Sequence, residues 1–156
     1  MNRSLFASAL VASAILFGAG WASAQSSGTA TEAKAMLDRA VAALKANQAA
    51  ALAEFNDKNN KQFHDRDLYV FCFNTSDGKF TAHVNPALIG TVVRALKDVG
   101  GDPLGQRGYD LVKGKPEGDV GTNDYNFPKP GTTEFVPKEA FTTRVGGQGC
   151  GVGYYK

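Results

Sequence analysis

The run "DLYVFCFN", Asp67 to Asn74, leaves the fewest structural options open. Alternation puts Leu68, Val70 and Cys72 on one face and Tyr69, Phe71 and Phe73 on the other, so both faces are apolar. A strand of this kind belongs inside a sheet that is covered on both sides. "TSDG", Thr75 to Gly78, then reads as a hairpin turn whose Asp-Gly supplies the positive backbone angles. Lys79 to Val84 return as the partner strand, and Asn85-Pro86 stops it.

The closing run "RVGGQGCGVGYYK", Arg144 to Lys156, poses the matching question of what needs so much glycine. A phosphate cradle requires a following helix, and only a tripeptide follows Gly153. Laid antiparallel beside the Asp67–Asn74 strand with Cys72 opposite Cys150, the run places Val152 opposite Val70. The same register sets Gly149 against Phe73, Gly151 against Phe71 and Gly153 against Tyr69. Each glycine then leaves room for a ring on one face, while the cysteines meet on the other.

The start of the chain looks like an export address: Arg3, an apolar run from Leu5 to Trp21, then Ala22-Ser23-Ala24. We read residues 1–24 as a signal peptide cleaved before Gln25. A retained anchor is the alternative, but the run is shorter than the roughly 20 apolar residues that a span needs. Residues 25–156 then form one domain, periplasmic or secreted, with no further apolar stretch for stable membrane insertion. In an exported chain two cysteines favour a disulfide, here closing a loop of about 78 residues and worth about 4 kcal/mol. Two buried thiols behaving as small hydrophobes are the alternative. Sixteen basic and fifteen acidic side chains remain after the signal, without blocks of like charge, which argues against nucleic acid as a partner.

Thr29 and Glu32 form a capping-box pattern, and Met36, Leu37, Ala40, Val41, Leu44, Gln48, Ala51, Leu52 and Phe55 then share one helical face. The spacing predicts one helix from Ala30 to Asn56, about 40 Å long. "ALIGTVVRALKDV" and Leu104 to Val112 read as a helical excursion broken at Gly100-Gly101. "YNFPKP", Tyr125 to Pro130, reads as a strand end, Phe135 to Val145 pair with it, and the closing run is the fifth strand.

That order of elements, with "DLYVFCFNTSDGKFTAHVNPALIG", "YNFPKP", Pro137-Lys138 and "GCGVGYYK", resembles the single Cache domain family, PAS-like extracellular sensors of chemoreceptors and histidine kinases. The resemblance implies an α+β fold: a five-stranded antiparallel sheet with the long helix on one face and a small-molecule pocket on the other. It implies binding of a small organic acid or similar metabolite, not turnover. His83-Val84-Asn85-Pro86 matches the family's "HPNP" with valine in place of its first proline. Tyr125 matches the tyrosine of "Y-x-W-P", with Phe127 in place of tryptophan.

The candidate ligand-binding residues are Arg66, Tyr69, Phe71, His83, Tyr125, Phe127 and Lys138. A carboxylate needs a cation with hydrogen-bond donors, which Lys138 or Arg66 would supply. Each of them reads equally as a solvated strand-end charge. The rings read as pocket wall or as core, and the hydroxyls of Tyr69 and Tyr125 need partners wherever they are buried. His83 either bonds a ligand or serves only its own loop. With two histidines, His64 and His83, and no ligand spacing, neither a metal nor a cofactor is expected, and no catalytic constellation appears. The partners expected are a small ligand and a membrane receptor or histidine kinase. The other reading is an interaction protein with a filled pocket, docking on a receptor or forming a homodimer through the N-terminal helix.

Overall fold

A computed structural model describes residues 26–156, so the expected signal peptide, residues 1–24, and its expected cleavage site lie outside the described residues. Thr29 caps helix α1 (Ala30–Ala46) as expected, its hydroxyl accepting the Glu32 N–H while the Glu32 carboxylate accepts the Thr29 N–H. The helix does not run on to Asn56. Asn47 takes an extended backbone, and its side chain accepts the Ala50 N–H to cap a second helix, α2 (Gln48–Asn56). An asparagine side chain competes for backbone donors in this way and so breaks a helix that apolar periodicity alone would continue.

Six strands form the sheet: β1 (His64–Asp65), β2 (Leu68–Asn74), β3 (Phe80–Ala82), β4 (Gly121–Pro128), β5 (Phe135–Val145) and β6 (Gln148–Tyr155). Five were expected, and the two-residue β1 is the addition. The order is β1-β2-β6-β5-β4, with β3 also paired to β2. β4 starts at Gly121, four residues before its expected start. It lies at the sheet edge, the position at which a strand tolerates a proline such as Pro128.

The predicted register between β2 and β6 is present: Val70 faces Val152, Phe71 faces Gly151, Cys72 faces Cys150 and Phe73 faces Gly149. Cys72 and Cys150 are disulfide-bonded. A Cβ added at Gly149 would stand 2.6 Å from the Phe73 ring, and one at Gly151 would stand 2.5 Å from the Phe71 ring. Gly153 departs from the pattern. The ladder between these strands begins at Val70, and a Cβ at Gly153 would meet Lys138 Cε at 2.4 Å. The third glycine thus admits a lysine rather than a ring.

Two cores follow from the two apolar faces. Val70, Cys72, Cys150 and Val152 pack under α1 and α2 against Met36, Leu37, Ala40 and Phe55. On the opposite face Phe71 and Phe73 meet Phe80, Val93, Tyr109 and Val112. The cover on that side is the excursion: 3-10 turns at Pro86–Leu88 and Val93–Ala95, then helix α3 (Leu104–Lys113). The segment before α3 is not the continuous helix expected, because Gly90 has φ 82° and Val92 bridges to Lys79. Gly105 lets α3 rest directly on the second turn, since a Cβ there would fall on the Val93 carbonyl.

Candidate functional site

The site is built where the aromatic face of the sheet meets the excursion. β2 contributes Tyr69, Phe71 and Phe73, β4 contributes Asn123, Tyr125 and Phe127, and β5 contributes Ala140 and Thr142. With His83 and Phe80 they enclose a cavity in which the centre of a water-sized molecule can move over about 40 Å³. On this measure one water needs roughly 10–15 Å³. Tyr69, His83 and Phe127 also line an outer depression of about 270 Å³, rimmed by Lys58 and Lys129.

Lys138 stands one layer behind that cavity wall. In β5 it faces Tyr125 of β4 on one side and Tyr155 of β6 on the other, and it is 1% exposed. Its ammonium donates to the hydroxyl of Tyr69 at 2.9 Å and to that of Tyr155 at 3.3 Å. It lies 4.2 Å and 4.5 Å from the centroids of those two rings, a cation–π arrangement. Among the described residues no carboxylate comes within ion-pair distance of it. Burial lowers its pKa to about 7, against a smaller raising effect from Asp67.

The hydrogen bonds around this ammonium have a direction. Tyr155 donates its hydroxyl to the Pro128 carbonyl at 2.7 Å and is committed. Tyr69 accepts from Lys138, and its hydroxyl lies beside that of Tyr155, to which it can donate. The Tyr125 hydroxyl has no hydrogen-bond partner among the described residues. Burial raises the pKa of both tyrosines, Tyr69 strongly, so both remain protonated donors.

His83, which follows β3, is 6% exposed. Its Nδ1 accepts the Asn85 N–H at 2.9 Å, a bond within its own loop, though to an N–H rather than to the carbonyl that loop service would suggest. Burial, and then the charge of Lys138, lower its pKa to about 3, so the ring is neutral. It packs edge-on against Tyr69, Phe80 and Phe127.

Six of the seven predicted residues therefore surround one cavity, five as its lining and Lys138 behind it. Arg66 is the exception. It occupies the β1–β2 turn at φ 55° and pairs with Glu32 at 2.6 Å and Asp65 at 2.7 Å, which ties the start of α1 to the sheet. Its charge is used there and does not reach the aromatic cavity. Sequence reasoning missed Tyr155 and Asn123. Tyr155 was accessible by alternation, because it shares the face of Gly149, Gly151 and Gly153. Asn123 lies two residues before Tyr125 on β4 and was hidden by the late start assigned to that strand. It donates to the Leu104 carbonyl at 3.1 Å and accepts from Arg107 at 3.3 Å, which fixes β4 to α3.

Among the described residues no cluster of three metal-donor side chains occurs, and no helix is long and apolar enough to cross a membrane. No curated protein matches the chain. Several solved structures share the fold. The methyl-accepting chemotaxis protein from Vibrio parahaemolyticus RIMD 2210633 is 25% identical, with TM-score 0.64 over 80% of this chain and 86% of that one. A periplasmic sensor domain of a chemotaxis protein is 25% identical, with TM-score 0.60 over 78% and 86% of the two chains. A Cache chemosensory domain described for carboxylic acid recognition is 24% identical, with TM-score 0.60 over 80% and 86%. The family model for single Cache domain 2 matches residues 22–154, nearly the whole chain. Helix order, antiparallel sheet and that match agree, and the chain belongs to the single Cache domain 2 family, a family of ligand-sensing domains.

Proposed function

We propose that this domain is a periplasmic sensor of small carboxylates that binds its ligand without turning it over. One observation carries the reading: a buried ammonium, behind the wall of an aromatic cavity, that has tyrosine hydroxyls around it and no carboxylate within ion-pair distance among the described residues. Burying a lone cation destabilises the fold unless a counter-charge arrives. A ligand carboxylate would accept the Tyr69 and Tyr125 O–H groups, with the Lys138 charge directly behind them. A hydrogen bond from a hydroxyl to an ionised carboxylate is about twice as strong as one between neutral groups. The aromatic walls suit a short carbon chain.

The interaction-protein reading requires a filled cavity, and a cavity with room for more than one water, lined in part by Tyr69, His83 and Tyr125, supports the sensor reading instead. Self-association through α1 also finds little apolar surface to use, because Ala33, Met36, Leu37, Ala40 and Leu44 are all buried on its own sheet. Signal output is assigned to a membrane-bound partner such as a receptor or histidine kinase.

A panel of short carboxylates, amino acids, amines and purines, tested by thermal unfolding of residues 25–156, checks the proposal. A carboxylate at about 100 times its dissociation constant should stabilise by about 2.7 kcal/mol and raise Tm by about 10 °C. Shifts confined to amines or purines would overturn the assignment of an anionic ligand.

A further inference from the structure

We infer that Lys138 is also a site of reversible carbamylation: its amine adds dissolved carbon dioxide, which turns the positive group behind the cavity wall into a negative one. The chemistry stands without the carboxylate reading above, and its consequence for acid binding rests on that reading.

Its surroundings make this amine a nucleophile rather than a surface charge. It is 1% exposed, and among the described residues no carboxylate lies within ion-pair distance to hold its proton. Its hydrogen-bond partners there are the hydroxyls of Tyr69 and Tyr155, at 2.9 and 3.3 Å. A desolvated lysine without a counter-charge sheds its proton readily, and the free amine is the form that attacks an electrophilic carbon. Burial acts in that direction, lowering its pKa to about 7 against the weaker opposing charge of Asp67. The titratable groups that face it are uncharged: burial keeps Tyr69, Tyr125 and Tyr155 protonated and His83 neutral. Lys129, 5.3 Å from the centroid of the Tyr155 ring, adds a positive charge that favours an anion here over a second cation.

The electrophile follows from what the neighbours can offer. Tyr125 stands opposite Lys138 in the ladder, and Tyr69 is already bonded to the amine. Towards an ammonium these hydroxyls give only lone pairs, whereas the oxygens of a carbamate accept their protons. A hydroxyl bonded to an ionised oxygen is about twice as strong a contact as one between neutral groups. An imine made from an aldehyde or ketone would, once protonated, put a cation back among the same donors. Space agrees: the addition is one carbon and two oxygens, and the cavity beside Tyr69 and Tyr125 has about 40 Å³ for the centre of a water-sized molecule. Carbon dioxide is uncharged and apolar, so it enters an aromatic cavity without the desolvation cost that an anion meets. In the step, the Nζ lone pair forms the N–C bond, one C=O electron pair moves onto oxygen, and the proton leaves Nζ for solvent. One amine and one carbon dioxide give one carbamate and one proton, and reprotonation of the nitrogen reverses the step. The new anion repels a second one, so carbamylation closes the site to acids that the ammonium admits.

The test incubates the protein, residues 25–156, with ¹³C-labelled bicarbonate at pH 8, fixes any carbamate by methylation with trimethyloxonium, and locates it by digestion and mass spectrometry. Labelled methyl carbamate is expected on Lys138 and not on exposed lysines such as Lys34 and Lys45. A second readout uses the untreated protein: its ¹³C spectrum should show a carbamate resonance that is weaker at pH 6 than at pH 8 and absent in Lys138→Met. Tyr125→Phe, which keeps the ring and removes the donor, should lower the occupancy by about tenfold. Calorimetry with short acids reads the consequence, because their apparent affinity in bicarbonate should fall in proportion to the fraction of Lys138 left unmodified. An unlabelled Lys138 in excess bicarbonate, or equal label on the exposed lysines, would overturn the assignment. Label on Lys138 with acid binding unchanged by bicarbonate would overturn its role in closing the site. Label on Lys138 in a domain that binds no short acid would remove the carboxylate reading and leave the carbamate standing.

Discussion

Lys138→Met should make the unliganded protein more stable while weakening carboxylate binding at least 100-fold. The two effects have one cause. In the folded chain the ammonium is buried without a carboxylate, and burial lowers its pKa from 10.5 to about 7. Methionine fills similar volume without the charge, and replacing a buried charge by a packed apolar group is commonly neutral or stabilising by about 1–4 kcal/mol. The sign with pH is fixed by the direction of the shift. Between pH 7 and 10.5 the unfolded lysine keeps its proton and the folded one has lost it, so wild-type stability rises with pH across that window. Below pH 7 the full penalty applies. The advantage of Lys138→Met should therefore be largest near pH 6 and shrink towards pH 10. Binding moves the other way: removing the ammonium behind Tyr69 should weaken a carboxylate by at least 100-fold. Denaturant unfolding at pH 6 and pH 9, with and without acid, reads all of this. A destabilised variant that still bound acid would mean that Lys138 serves the fold and not the ligand.

Replacing both cysteines, Cys72→Ala with Cys150→Ala, should cost about 4 kcal/mol and lower Tm by about 15 °C. The bridge spans 78 positions and joins two central strands, so its loss frees a long loop in the unfolded chain. Both residues are fully buried, and truncation adds a small cavity under α1 and α2. The sulfurs lie on the helix side of the sheet, away from the cavity. Acid binding by the folded fraction should consequently remain. Denaturant titration gives the first quantity and calorimetry below the transition gives the second. A loss under about 1 kcal/mol would show that the unfolded chain gains little from the missing link.

How much of this could be read from the chain alone depends on whether the signal was local. The two-faced strand, the Asp-Gly hairpin and the cysteine register were legible because alternation and pairing constrain each other. Once Cys72 meets Cys150, Gly149 and Gly151 must oppose Phe73 and Phe71. The break at Asn47 was not legible, since Ala51 and Phe55 continue the apolar face of α1 after the kink. The first half of the excursion misled for a related reason: its spacing is amphipathic, but Gly90 and the Lys79–Val92 bridge impose turns instead. In the candidate site, the residue types were readable and their pairing was not. Arg66 and Lys138 are both basic residues near strand ends. Only the folded chain shows that Arg66 meets Glu32 and Asp65 while Lys138 meets tyrosines. Gly153 shows the same limit. Its bare backbone was legible as a space, but the side chain that fills it comes from β5, which that pairing with β2 did not include.

Proton uptake on binding is the most direct measure of whether Lys138 is the charge that receives the ligand. The domain would be titrated at pH 8 with its tightest-binding short acid, in two buffers of different ionisation enthalpy. With a pKa of about 7 the free lysine is mostly neutral at pH 8, and an arriving carboxylate restores the ammonium. His83, with its pKa lowered to about 3, contributes no proton at that pH. Uptake close to one proton per bound acid is expected, falling towards zero at pH 6 and absent in Lys138→Met. Binding at pH 8 with no proton taken up would contradict the assignment of Lys138 as the ligand's counter-charge.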